Sequence, residues 1–166
     1  MAETSTALIK RYLESASAAE NHSITQLKTF ENEGDNAEVK AIFHAHRLET
    51  EQQQERLADR IKGLDGSAST GKGLLAYIFG MAQKARETGP EPEERTIQNL
   101  MVAYALENSE VAMYESLITM AEAAGDSETA ELARSIQSEE REAADKFWKL
   151  LPAAALDSYA RITEHS

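Results

Sequence analysis

Four glutamates, Glu20, Glu49, Glu110 and Glu139, fall into two pairs of 29-residue spacing, and the pairs are offset by 90 residues. Each sits at a helical interval from apolar neighbours. Glu20 is four residues after Ala16, and Glu49 follows Ile42 by way of His46. Glu110 precedes Val111, Tyr114 and Leu117, and Glu139 lies between Ile136 and Ala143. A carboxylate on the apolar face of a helix loses its hydration, which is costly unless an ion pair or a metal compensates. Four such groups at one depth would repel one another, and two divalent or trivalent cations would offset that charge. Carboxylate bundles of this kind place a further ligand three residues after the glutamate of alternate helices. Here those positions hold Gln52, a weak ligand, and Glu142, a good one. His46, one turn before Glu49, is the imidazole placed to supply a nitrogen. The candidate metal ligands are therefore Glu20, His46, Glu49, Glu110, Glu139 and Glu142. Glu107 competes with Glu110 in helix phase, and the 29-residue repeat favours Glu110. Glu14 and Glu140 read as solvated surface charges, and His22, His44 and His165 as exposed.

The elements that must position these residues are helical. Ile9, Leu13, Ala16, Ile24 and Leu27 recur at helical spacing and predict a helix over about Thr4–Asn32. Gly34 is its stop, and Asp35 or Asn36 caps the next helix, which runs to about Lys62 and ends at Gly63. That second helix contains FHAHRLETEQQQERL, with Val39, Ile42, Phe43, Leu57 and Ile61 inward and His46, Glu49 and Gln53 on the same face. A loop over Leu64–Gly73 and a short helix over Leu74–Glu87 follow. The loop approaches a phosphate-binding sequence, but Gly73 stands where Ser or Thr is needed and no strand precedes it. Thr88-Gly89-Pro90-Glu91-Pro92 breaks the chain. A helix over about Glu93–Ala124 comes next, stopped at Gly125-Asp126-Ser127, and then one over Glu128 to about Leu151, which Pro152 ends or passes to a last short helix. No segment reads as a strand. Four long helices, two tight turns and one long connection predict an all-α, four-helix bundle, up-down-down-up with one crossover and one or two extra short helices, forming a single domain over residues 1–166.

Composition narrows the chemistry. The 166 residues include no cysteine, which excludes disulfides, thiolate zinc sites and iron–sulfur clusters, and leaves Glu, Asp and His for hard or intermediate ions. A net charge of −12 opposes nucleic-acid binding by the bare surface. No apolar run is long enough to span a bilayer, and the start MAETSTALIKRY has no signal pattern, so the expected location is the cytoplasm.

The run Phe43-x-x-His46-x-x-Glu49-Thr50-x-x-Gln53-x-x-x-Leu57 closely resembles the second-helix signature of the YciE/YciF-type ferritin-like bacterial proteins. The resemblance continues in Glu107-Asn108-Ser109-Glu110-x-x-x-Tyr114, in Ala121-x-x-x-Gly125 and in Glu139-Glu140, and covers roughly Leu8–Leu151. It implies a ferritin-like fold, an association with stress responses, and a di-metal centre with Glu20, Glu49, Glu110 and Glu139 as ligands beside His46 and Gln53. It brings no established substrate. Asn108 and Ser109 depart from the family's usual His-Tyr between the two glutamates. Two functions follow as expectations. One is a di-metal carboxylate protein, binding two Fe or Mn ions (Zn or Mg as substitutes) with no organic cofactor, linked to stress or oxidative stress. The alternative is a non-enzymatic helical bundle, a dimerising interaction protein with a degenerate metal site. A homodimer is the expected partner in either case, with no nucleic acid and no membrane.

Overall fold

The computed structural model describes residues 4–64 and 91–164. The expected loop at 64–73, the short helix Leu74–Glu87, part of the breaker and His165 lie outside the described residues, apart from Leu64 and Glu91-Pro92. Four long helices are present: α1 (Ser5–Asn32), α2 (Ala37–Lys62), α3 (Arg95–Ala123) and α4 (Ser127–Glu164), with a 3₁₀ turn at Pro92–Glu94 leading into α3. No strand occurs among the described residues, and no helix there is long and apolar enough to cross a membrane.

The helix ends are set by local chemistry. Thr4 caps α1, its hydroxyl accepting from the Ala7 amide at 3.2 Å, and Asn36 caps α2, accepting from Val39 at 3.0 Å. Asp126 accepts from the Thr129 amide at 3.0 Å at the start of α4. Satisfying these first-turn amides is what the cap residues are for. Gly34 and Gly125, which end α1 and α3, both have φ of +73°, the left-handed conformation that glycine adopts without steric cost.

α1 pairs with α2 and α3 with α4 in two antiparallel hairpins, and the hairpins meet through α1 against α3 and α2 against α4. Between the hairpins, Ser23 meets Glu110 while Glu20 meets Tyr114, so α3 runs opposite to α1. Gln53 meets Glu139 and Arg60 meets Thr129, so α4 runs opposite to α2. This is the ferritin-like up-down-down-up bundle with one crossover.

One expected boundary is overturned. α4 continues unbroken through Pro152 to Glu164, with no separate last helix. Proline removes one backbone donor, a loss the tail offsets by docking. Ala154 is buried, and the Ser158 hydroxyl donates to the Glu93 carbonyl at 2.8 Å.

The apolar core is divided in two. One cluster centres on Leu13, Leu57, Leu117 and Ile136, the other on Phe30, Phe43, Leu100 and Phe147. In the second, the Phe43 ring lies 5.4 Å from both Phe30 and Phe147. The buried polar residues Glu20, Ser23, His46, Thr50, Gln53, Glu107, Glu110 and Glu140 fall, in every helix, between the residues of these two clusters.

A candidate metal centre between the two apolar clusters

Each helix delivers a polar side chain where its apolar stripe would otherwise continue. In α1, Glu20 lies between Ala16 and Leu27, and in α2, His46 lies between Phe43 and Leu57. α3 carries Glu107 and Glu110 in the stripe from Ala103 to Leu117, and α4 carries Glu140 between Ile136 and Ala143. These five side chains converge. His46, Glu107 and Glu140 form one triad and Glu20, Glu110 and Glu140 another, and in each the prospective ligand atoms lie within 4.8 Å of one another. Glu140 belongs to both.

Hydrogen bonds hold one side of this group and leave the other unmatched. Tyr114 Oη donates to Glu20 Oε1, and Ser23 Oγ donates to Glu110 Oε1 at 2.7 Å. His46 Nδ1 lies 3.3 Å from Glu49 Oε2, which suits donation from Nδ1 and leaves Nε2 as the nitrogen that a cation would take once the ring is neutral, and the ring packs edge-on to Phe147 at 5.5 Å. Nε2 points inward, 3.1 Å from Glu107 Oε2 and 3.8 Å from Glu140 Oε2. Among the described residues, Glu20 Oε2, His46 Nε2, Glu107 Oε2, Glu110 Oε2 and both oxygens of Glu140 have no hydrogen-bond partner. The 3.1 Å approach of His46 to Glu107 is thus close but not aligned as a hydrogen bond.

Burial dominates the electrostatics. It pushes the carboxyl of Glu110 up to about 7, against the opposing pull of Ser23 and His46. It raises Glu20 well above the usual carboxylate range, helped by Glu110 and Glu140, and raises Glu107 and Glu140 likewise. For His46 burial acts downward, but Glu49, Glu140 and Glu110 outweigh it and the imidazole is raised. The His46 hydrogen bond lowers Glu49. Four carboxylates that resist ionisation together are what the site presents without a cation.

The donor set fits a metal. Oxygen atoms and one imidazole suit Fe, Mn or Zn. A ligating histidine characteristically donates its other ring N–H to a carboxylate, as His46 does to Glu49. This buried His/Glu group could hold a metal ion.

The expected residues divide as follows. Glu20, His46 and Glu110 are brought together in the cluster. Glu49 stands at its edge, with 35% of its side chain exposed, bonded to His46. Glu139 turns outward, 25% exposed, and accepts from Arg56 and from Gln53 Nε2, the latter at 3.1 Å. Glu142 is exposed. Glu140, expected to be a solvated surface charge, is fully buried at 0% exposure. Glu107 is buried beside Glu110 rather than in competition with it. The signal for Glu140 was its position four residues after Ile136 and three before Ala143, which Glu139 fits equally well in reverse.

The conserved-domain model described as a domain of unknown function, DUF892, matches residues 6–160. The chain belongs to the DUF892 family. Its fold is similar to that of a Xanthomonas campestris pv. campestris protein, with 23% identity, TM-score 0.78, and 96% of this chain and 98% of that one covered. It is also similar to the stress protein YciF of E. coli, at 23% identity and TM-score 0.78 over 93% of this chain and 98% of YciF. YcfI of Rhodopseudomonas palustris, described as a putative structural protein, matches at 24% identity and TM-score 0.75, covering 87% and 93%. The family match and the YciF-like neighbour agree with the YciE/YciF-type signature in α2.

Proposed function

We propose that this protein is a di-metal carboxylate protein that binds two Fe or Mn ions between its apolar clusters and serves in a stress or oxidative-stress response. The observation that carries the reading is the set of six inward donor atoms, on Glu20, His46, Glu107, Glu110 and Glu140, with no hydrogen-bond partner among the described residues. Leaving that many buried polar atoms unmatched is costly, and a cation matches them at once. His46 and Glu107 would hold one ion and Glu20 and Glu110 the other, with Glu140 shared. Tyr114 and Ser23 each fix one oxygen of a carboxylate and turn the second toward the site. Glu49 fixes the His46 tautomer. A redox-active ion bound there supplies electron transfer to or from dioxygen or a peroxide. The stress assignment rests on the neighbour named as a stress protein.

Elemental analysis after anaerobic reconstitution with Fe(II) or Mn(II) is the test. The expected result is about two equivalents in the wild type, with loss in Glu140→Ala, because removing a ligand costs at least the tenfold to hundredfold of an outer-sphere partner. No bound metal in the wild type would overturn the reading.

A second reading, a dimerising structural module, is favoured by one observation. Trp148, Leu156, Tyr159 and Ile162 form an apolar stripe on α4, with Leu156 71% and Tyr159 68% exposed. Light scattering tests it: a homodimer dissociated by Leu156→Glu and Tyr159→Glu would support it, and a monomeric wild type would sink it.

A further inference from the structure

The proposed ions would have to reach residues that water barely touches. Along the bundle axis both approaches are closed by apolar layers, Leu13, Leu57, Leu117 and Ile136 on one side and Phe30, Phe43 and Phe147 on the other. Between α2 and α4 the wall is different. A groove of about 430 Å³ opens there, lined by Ile42, Phe147, Gln52, Glu49, Lys146 and His46 among others. His46 is the cluster member that reaches it. The imidazole therefore has one edge on the groove and the other, Nε2, in the cluster. Glu49 stands at the same place with a half-exposed carboxylate bonded to His46 Nδ1. Unlike Glu139, which Arg56 and Gln53 occupy, Glu49 has no arginine or lysine partner within salt-bridge distance among the described residues.

We propose that this groove is the cation-admission site of the protein, and that Glu49 is a transit ligand there: it takes a divalent cation from solvent and passes it beyond His46 to Glu107 and Glu140. The inference rests on the metal reading above. A transit carboxylate belongs at a boundary, charged and wet enough to capture a hydrated ion, and one side chain away from a resident ligand. Glu49 meets both conditions. Lys146 on the opposite rim repels the same ion and lowers its concentration in the groove, so the two side chains act with opposite signs.

A group that touches the ion only in passage changes entry and exit by the same factor and leaves the bound state alone. Glu49→Gln is the informative variant, because its amide oxygen still accepts from His46 Nδ1 while the negative charge is gone. Chelator-stripped protein is mixed anaerobically with Co(II) in a stopped-flow instrument, and visible absorbance follows uptake; EDTA then follows release. Glu49→Gln should slow uptake by about tenfold, within the range by which local charge alters association rates, with stoichiometry retained and any loss of affinity no larger than the tenfold to hundredfold of an outer-sphere partner of His46. Lys146→Gln should speed uptake. Glu107→Gln, a change to a resident ligand, should lower affinity. If Glu49→Gln weakens binding without slowing uptake, Glu49 is a resident ligand and the proposal fails; unchanged rates mean that ions enter elsewhere and it also fails. A wild type that binds no Co(II) would overturn the metal reading itself, which separates the two failures.

Discussion

The two hairpins are alike in burial and unlike in chemistry. Residues ninety apart are buried together along nearly the whole repeat: Leu13 with Ala103, Glu20 with Glu110, Leu27 with Leu117, Phe43 with Ala133, Gln53 with Ala143 and Leu57 with Phe147. Yet the first hairpin gives the cluster one carboxylate and an imidazole, whereas the second gives three carboxylates. Among the ionisable members of the cluster, the divergence falls on three pairs. Ser17 stands opposite Glu107, His46 opposite Ile136, and Thr50 opposite Glu140. A shared packing frame therefore does not dictate a symmetric site. The frame fixes which positions face inward, and a few substitutions at those positions decide which hairpin carries the charge.

The sharpest way to break this contrast is to mutate Glu140 and Thr50 in parallel. Glu140→Ala removes the carboxylate common to both triads and should weaken metal binding by at least about a hundredfold. Thr50→Ala should leave binding nearly unchanged, since its hydroxyl only donates back to the His46 carbonyl at 3.0 Å. Calorimetric titration with Mn(II) reads both, and equal losses would mean that the hairpins contribute alike.

A smaller effect sets the shared cluster, by pH, against the surface of the first hairpin. In the metal-free protein, burial holds the Glu110 carboxyl at about 7 rather than 4.5. Between those values the folded state keeps a proton that the unfolded chain has released. That contribution to stability is fully present below about 4.5 and is lost as pH rises through about 7. Glu20, Glu107 and Glu140 are raised in the same direction and add to the loss. Glu31, in the first hairpin, has the opposite sign: hydrogen bonds from Arg47 and His44 lower it, so its contribution is lost as pH falls. It is partly exposed, and solvent screens its effect. Urea unfolding with chelator present should therefore show lower stability at about pH 8 than at about pH 5, and saturating Mn(II) should reverse the order. A chelated protein that is more stable at the higher pH would contradict the burial argument.

The smallest effect concerns how the hairpins are joined. Arg56→Met breaks the ion pair with Glu139 across the α2–α4 contact, and both groups are partly exposed. Thermal denaturation should show a loss of about 0.5–1 kcal/mol, in the range of surface pairs. Metal stoichiometry should not move, because Glu139 lies outside both triads.

The bundle was legible because each helix carries its own start, stop and apolar stripe, and Gly34 and Gly125 mark equivalent turns. Glu20 and His46 were legible for the same reason, since each continues a stripe of apolar neighbours; Glu110 was set apart from Glu107 only by the 29-residue repeat, and both are buried. On α4 the choice between Glu139 and Glu140 turns on a single residue of helix phase, about 100°, because both lie within a turn of Ile136 and Ala143. The 29-residue spacing from Glu110 matched Glu139 to Glu49, and that match is real: both sit at the bundle's edge, 25% and 35% exposed. What the spacing did not reveal is that the inward position of the second hairpin corresponds to Thr50, a residue with no charge to flag it. Pro152 was misleading in another way, because the helix beyond it is held by Ala154 and Ser158 docking against distant residues.

The division of the polar cluster between the two hairpins has a consequence for the order of assembly. The hydrogen bonds that fix Glu20 and Glu110 join residues 94 and 87 apart in the chain, whereas each hairpin closes over a short turn. Contacts so remote carry a larger loop-closure entropy than the local helical pairs. A nascent chain that has emerged only through α2 displays Glu20 and His46 alone and has no triad with which to chelate. On the proposed metal reading, the complete donor set exists only once the second hairpin has docked on the first.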